Sequence, residues 1–130
     1  MGRRFLRASS FDVKASDEDI RDAFAELIHS GRIFVAERDE VIVGMLGARL
    51  VNPWFSRSVV IATELMWWVD EEHRGSLSSV RLVGAFEQWA KSEHADMISM
   101  SDLTGYKGVD RLLSRLGYKC VERAHIKGVA

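Results

Sequence analysis

Cysteine and proline are almost missing from this chain. Its 130 residues carry one of each, Cys120 and Pro53. A lone cysteine excludes an internal disulfide and suits a reducing compartment, so a cytoplasmic location is expected. Charge of one sign is missing too, because 18 Lys and Arg face 19 Asp and Glu. That balance gives no global attraction to nucleic acid or to an anionic membrane, and neither is an expected partner. Arg3, Arg4 and Arg7 make a short basic arm, with no basic stripe at the scale of a fold behind it. No apolar run is long enough to span a bilayer. Met1-Gly2-Arg3-Arg4 is not followed by the apolar stretch of a signal peptide, and Leu6 stands where a myristoylation pattern wants Ser or Thr. The four histidines lack a His-x-x-x-His spacing, so no metal is expected. Repeats, low-complexity tracts and linkers are absent from the sequence, and residues 1–130 are expected to form one domain.

What is present is organised around Thr63 to Lys91, TELMWWVDEEHRGSLSSVRLVGAFEQWAK. Leu65, Met66, Trp67, Trp68 and Val69 run without alternation, as in a strand covered on both faces. Asp70 to Arg74 is wholly polar and must surface. Ser76, Ser78 and Ser79 then offer N-cap hydroxyls, and Val80, Val83, Phe86 and Ala90 recur at helical spacing, which predicts a helix over 76–91. A strand that enters a small-residue turn and becomes a helix N-terminus prepares an anion site, since the first N–H groups have no internal acceptor and the helix dipole adds partial positive charge. Arg74 is placed to reinforce it. The plain alternative is a helix start with serine caps and no ligand.

Elsewhere, Phe5 to Val13 reads either as a short strand or as a loosely ordered arm. Ser16 is an N-cap ahead of Asp17, Glu18 and Asp19, and Ile20, Phe24, Leu27 and Ile28 form the apolar stripe of a helix that Ser30-Gly31 ends. Arg32–Glu37 and Val41–Val51 read as a hairpin around Arg38-Asp39-Glu40, with Gly44 and Gly47 marking a bulge or a close backbone approach. Pro53 ends the second strand, and Val59 to Val69 supplies the third. Ala95–Ser101 is expected as a short buried strand, Gly108–Leu116 as a helix and Tyr118–Lys127 as a final strand. The order is helix, three strands, helix, strand, helix, strand. A meander followed by a strand-helix-strand crossover implies an α/β (α+β) fold with a mixed sheet and helices on its faces.

Val69 to Ser79, VDEEHRGSLSS, resembles the acetyl-CoA-binding motif of the GNAT acyltransferase superfamily, Arg/Gln-x-x-Gly-x-Gly/Ala after a strand ending in Val-x-Pro. Arg74, Gly75 and Val69 match. Glu71, Leu77 and Ser79 depart from the usual proline, first glycine and final glycine or alanine. With the element order, the resemblance extends over roughly Ser16 to Lys127. It implies a GNAT-like, mostly antiparallel central sheet flanked by helices, and acetyl-CoA as co-substrate. The cofactor-binding residues it implies are Trp68, Val69, Arg74, Gly75, Ser76, Leu77, Ser78, Ser79 and Tyr106. The family's amino-terminal region holds two helices, and this chain has room for one.

Acyl transfer to an amine needs a base for the ammonium and an acid for the departing thiolate. Glu64, a carboxylate inside an apolar strand, is the candidate catalytic base; burial would raise its pKa, whereas a solvent-facing or arginine-paired Glu64 would be inert. Many family members carry an acidic residue on this strand. The family's last-helix motif, Asn-x-x-Ala-x-x-Phe-Tyr-x-x-x-Gly-Phe, carries a tyrosine that protonates the thiolate; aligned on Gly117-Tyr118, that position is Leu113, with Tyr106 close in sequence. Trp67 and Trp68 point to opposite faces, Trp89 belongs to the core, and Trp54 beside Pro53 is exposed, edging the acceptor pocket or the interface of a homodimer. The resemblance implies an N-acetyltransferase moving an acetyl group from acetyl-CoA to a primary amine of a small molecule or protein. The alternative is a non-catalytic module of the same fold that binds CoA or a protein partner.

Overall fold

In the computed structural model, residues 1–9, 11, 14–103, 106 and 108–129 are described. The elements in chain order are α1 (Gly2–Ala8), α2 (Asp17–Ser30), β1 (Arg32–Arg38), β2 (Val41–Val51), β3 (Ile61–Val69), a 3-10 turn (Glu71–His73), α3 (Leu77–Ser92), β4 (Met97–Ser99) and α4 (Val109–Arg115). The sheet runs β1-β2-β3-β4, antiparallel except for the parallel β3–β4 pair.

Helix α2 starts where the sequence places it. The Ser16 hydroxyl accepts from the Asp19 N–H at 3.1 Å while the Asp19 carboxylate accepts from the Ser16 N–H at 2.7 Å, a closed capping box. It ends at Gly31 for a reason other than a left-handed cap. The φ of Gly31 is −141°, and a Cβ there would meet the Ala48 carbonyl at 2.4 Å and a Leu27 methyl at 2.7 Å. Gly47 is needed for the same kind of approach, because its missing Cβ leaves the Leu27 side chain room to lie on the sheet.

The two helical layers take opposite faces. Leu46, Ala48, Ala62 and Val69 meet Leu82, Val83, Phe86 and Ala90 of α3 in the main core, where Phe86, Leu46 and Val83 are fully buried. Phe34, Phe86 and Trp89 form an aromatic cluster at its edge, with centroids 6.1–6.3 Å apart. Trp89 therefore is core. On the other face Leu27 of α2 covers Gly47 and Met66, and α1 packs Gly2 against Phe24 and Ile20.

Several expectations are corrected. The stretch from Phe5 contains no strand among its described residues: α1 covers Gly2–Ala8, and Val13 lies outside them. The amino-terminal region thus holds two helices, α1 and α2, where the sequence suggested one. Strand β4 is shorter than expected and only half-buried at Ile98. Tyr118–Lys127 forms no strand, and 119–129 is exposed throughout. Its alternation interleaves Lys119, Glu122, Arg123, His125 and Lys127 with the apolar residues, so water satisfies the backbone as well as a sheet edge would. The segment is tied down at its start, where the Tyr118 hydroxyl donates to Glu87 of α3 at 2.9 Å.

The core makes a direct prediction. Phe86→Ala should lower unfolding stability by about 3–5 kcal/mol, the cost of an aromatic-sized cavity. Gly47→Ala should cost about 1–3 kcal/mol through the Leu27 clash. Urea denaturation followed by tryptophan fluorescence measures both.

Candidate active site

The site begins with a register shift. Strand β2 pairs Gly47 with Met66 and then Ala48 with Glu64, so Leu65 is an extra residue in β3. Directly opposed residues share a face, and Leu46 opposes Trp67 while Ala48 opposes Glu64. The bulge therefore brings Glu64 and Trp67, three apart in sequence, onto the same face, the one α3 covers. Met66 and Trp68 take the other face, with α1 and α2.

On its far side β3 loses its partner at the same point. The parallel ladder joins Ile61, Ala62 and Thr63 to Met97, Ile98 and Ser99 and then stops. Beyond it β3 continues to Val69 with no strand partner on that edge among the described residues, and the chain after β4 runs through Ser101, Asp102 and Leu103 outside any strand. The gap is a cleft of about 800 Å³ whose lining includes Glu64, Leu65, Trp67, Trp68 and Val69 of β3, Gly75, Ser76 and Ser79 at the start of α3, and Val109 and Leu112 of α4.

Glu64 stands at the fork. It is 7% exposed, and one carboxylate oxygen accepts from the Ser101 N–H at 3.1 Å, bridging the two diverging strands. Burial pushes its pKa up to about 7, against the opposing pull of the Ser101 hydrogen bond. The inert alternatives, a solvent-facing or arginine-paired carboxylate, do not apply: no salt bridge to Glu64 is found among the described residues.

At the other end lies the turn into α3. Ser76 is the N-cap; its hydroxyl donates to the His73 carbonyl at 2.6 Å and accepts from the Ser78 N–H at 3.3 Å. The remaining first-turn N–H groups, those of Leu77 and Ser79, have no acceptor inside the helix. Gly75 has φ +76°, and nothing lies within 4 Å of where its Cβ would be, so the approach to those groups is open. Leu77 is 64% exposed and does not line the cleft, nor does Ser78. Replacing the motif's first glycine by Leu77 therefore leaves this approach clear.

Arg74 departs from its expected place. Its side chain folds back along β3: Nε donates to the Val69 carbonyl at 2.9 Å, and the guanidinium lies 4.5 Å from the Trp68 ring and 5.0 Å from the Tyr106 ring. Trp68 and Tyr106 themselves meet edge to face at 6.2 Å. The arginine thus braces the far wall of the cleft. Asp70 sits beside this cluster, accepting from the Trp68 indole at 3.1 Å and paired with Arg4 of α1 at 2.6 Å; that pairing holds its carboxyl below the usual range. Sequence reasoning missed this role of α1. The Arg4-to-Asp70 link spans too many residues to be read from a local pattern.

Leu113, aligned with the family's tyrosine, is buried and does not line the cleft; Val109 and Leu112 do. Trp54 is 97% exposed, stacked edge-on with Phe55 at 5.7 Å, and lies outside the cleft lining. Among the described residues no cluster of His, Cys, Asp and Glu is arranged to hold a metal ion. Among the described residues no helix is long and apolar enough to cross a membrane.

The sequence matches the acetyltransferase (GNAT) family over residues 4–118. The chain belongs to that family. Its fold is similar to that of a transcriptional regulator from Bacillus halodurans C-125, at 22% identity and a TM-score of 0.75, over 88% of this chain and 77% of that one. It is also similar to glucosamine-6-phosphate N-acetyltransferase from Arabidopsis thaliana, at 14% identity and TM-score 0.74, over 98% and 88%. The aminoglycoside N-acetyltransferase AAC(6')-Iy, solved with a CoA-linked bisubstrate analogue, gives 16% identity and TM-score 0.70, over 92% and 84%. No curated protein matches the sequence.

The environment of Glu64 predicts a pH dependence of stability. Its pKa rises from 4.5 in the unfolded chain to about 7 in the fold, so the native state binds the extra proton in that window. Stability therefore falls as pH rises from 4.5 to 7, by at most about 3 kcal/mol. Glu64→Gln, a neutral isostere, should flatten that part of the curve. Urea midpoints measured from pH 4.5 to 8 for both proteins provide the comparison.

Proposed function

We propose that this GNAT family member transfers an acetyl group from acetyl-CoA to a primary amine, with Glu64 as the base. The observation that carries this reading is a buried carboxylate, pKa about 7, at the fork of a cleft whose other end is an open helix N-terminus. Similar folds in AAC(6')-Iy and glucosamine-6-phosphate N-acetyltransferase support the reaction class.

The residues fit acetyl-CoA on geometry. From Val69 to Glu64 the strand advances roughly 17 Å, an open edge for an extended pantetheine arm. The Val69 C=O faces that edge, where Arg74 takes it, and alternation turns the Trp67 N–H and C=O the same way. The N–H groups of Leu77 and Ser79 would hold the pyrophosphate, with Gly75 giving access. Trp68, Val69 and Tyr106 wall the cleft, and Arg74 acts by bracing Trp68 and Tyr106.

Acetyl-CoA, when bound, supplies a thioester carbonyl activated for attack. Glu64 takes one proton from the ammonium, freeing the nitrogen lone pair that forms the new C–N bond. The C–S bond breaks with its electrons on sulfur, and the second nitrogen proton leaves for the thiolate. A carboxylate of ordinary pKa would be a poor base for this, and burial brings Glu64 near the working pH. No tyrosine faces the cleft from α4, so the thiolate leaves without the family's acid from that helix. A thiol reference pKa of about 8.5 makes this departure slower rather than forbidden.

Two measurements test the reading. Glu64→Gln should lower kcat/KM about 10²-fold with acetyl-CoA affinity retained, and the wild-type profile should rise through a pKa of about 7. Equal activity in the two proteins across pH would remove Glu64 from the mechanism. Gly75→Asp should cost about 1–2 kcal/mol for its positive φ but still fold, since the space is open, and it should lose acetyl-CoA binding by calorimetry through charge repulsion. Leu113→Tyr, by contrast, should cost about 1–3 kcal/mol and leave turnover unimproved, because the ring would enter the core instead of the cleft. Acetyl-CoA binding without transfer to any amine would favour the non-catalytic alternative.

A further inference from the structure

The acceptor is open to the same geometric argument as the donor. Resting on the acetyl-transfer reading, we infer that the acceptor is a primary monoamine on a neutral apolar body, of the arylalkylamine class, entering from the α1 side of β3. The cleft carries apolar groups left exposed to solvent: Leu65 is 41% exposed on the free edge, Phe11 47% and Ile126 69%, with Phe5 of α1 beside them. Trp68, on the α1 face of the sheet, continues that wall. Exposed apolar surface that shares its cleft with a buried carboxylate suits a ligand with one charge and an otherwise water-averse body.

Charge argues in the same direction. The charged side chains lining the cleft are Glu64, Asp102, Arg74 and Arg115, two of each sign. Arg74 is already held by the Val69 carbonyl and two aromatic rings. The adjoining recess is also mixed, with Arg4 and Arg7 against Asp70, Glu71 and Glu72, and Asp70 is neutralised by Arg4 and the Trp68 indole. A polycation bearing several ammonium groups would meet four guanidiniums interleaved among five carboxylates. A sugar phosphate would bring a dianion toward a wall whose apolar residues offer it no donor. One ammonium is what Glu64 can discharge, and the apolar wall takes the remainder of the molecule.

The test follows thiol release from acetyl-CoA with 2-phenylethylamine, spermidine, neamine and glucosamine 6-phosphate, while acetyl-CoA binding is titrated by calorimetry. The expected result is kcat/KM for 2-phenylethylamine at least about tenfold above each of the others. Leu65→Glu, at a half-exposed position that should tolerate it, should lower that value about tenfold and raise the one for spermidine. Phe5→Ala is the companion variant, expected to weaken 2-phenylethylamine selectively; thermal melts confirm that both fold. Preference for spermidine, neamine or the sugar phosphate overturns the inference and leaves the transfer reading standing. Acetyl-CoA binding with no transfer to any of the four overturns both, as does failure to bind acetyl-CoA.

Discussion

The parallel ladder between β3 and β4 holds for three residue pairs, and its early end governs the rest of the molecule. A sheet that continued would have closed the edge of β3 and left nowhere for a ligand. Two features enforce the split. Leu65 is an extra residue in β3 against β2, and the strand conformation of β4 ends at Ser99. Bulges sharpen local twist, so β3 swings away from β4 just where the ladder ends. A hydrogen bond thrown back across the fork joins the Ser101 N–H to the Glu64 carboxylate.

That link ties a titratable group into the frame of the sheet. A buried carboxylate with one hydrogen bond among the described residues is poorly compensated, and burial raises its pKa. More N–H donors would have stabilised the charged form and removed its basicity near neutral pH. A second carboxylate packed against it would have kept the proton too tightly. The fold instead leaves Glu64 between these limits, and the surrounding core carries the energetic cost. Phe86, Leu46 and Val83 are buried without polar atoms and anchor α3 to the sheet, which in turn fixes the turn at Gly75 relative to the fork.

Local chemistry made most of this fold legible. The Ser16 capping box, the serine cap at Ser76, the apolar periodicity of α2 and α3, and the glycines of β2 are short-range signals, and each element they announced is present. Glu64 was visible as a charge in an apolar strand. The face it takes was not, because the Leu65 bulge inverts the alternation and no single-strand pattern encodes a register shift. Long-range partnerships were equally hidden. Nothing near Arg4 announces Asp70, and nothing near Arg74 announces that its guanidinium would lie on Trp68 and Tyr106 in place of the helix start. The segment after Tyr118 has a strand's alternation, yet alternation supplies only a propensity, and a strand also needs an edge in register.

Arg74 shows how a motif residue keeps its position while changing its work. Its backbone N–H is committed to the Glu71 carbonyl at 3.2 Å and its Nε to Val69, so the residue closes the 3-10 turn from both ends. This pins the end of β3 to the turn that starts α3 and fixes the spacing between them. The direction of the Leu77 and Ser79 N–H groups is set by the helix and not by a mobile side chain. A fixed dipole needs no reorganisation when a ligand arrives, whereas a flexible arginine must be ordered first. With Arg74 drawn into the wall, Trp68 and Tyr106 are held at the boundary between the two faces of the sheet. One aromatic pair thereby borders both the α3 side, where the helix start lies, and the α1 side, where the apolar wall begins. Glu64 lies farther along the same strand, and the open edge of β3 joins all three.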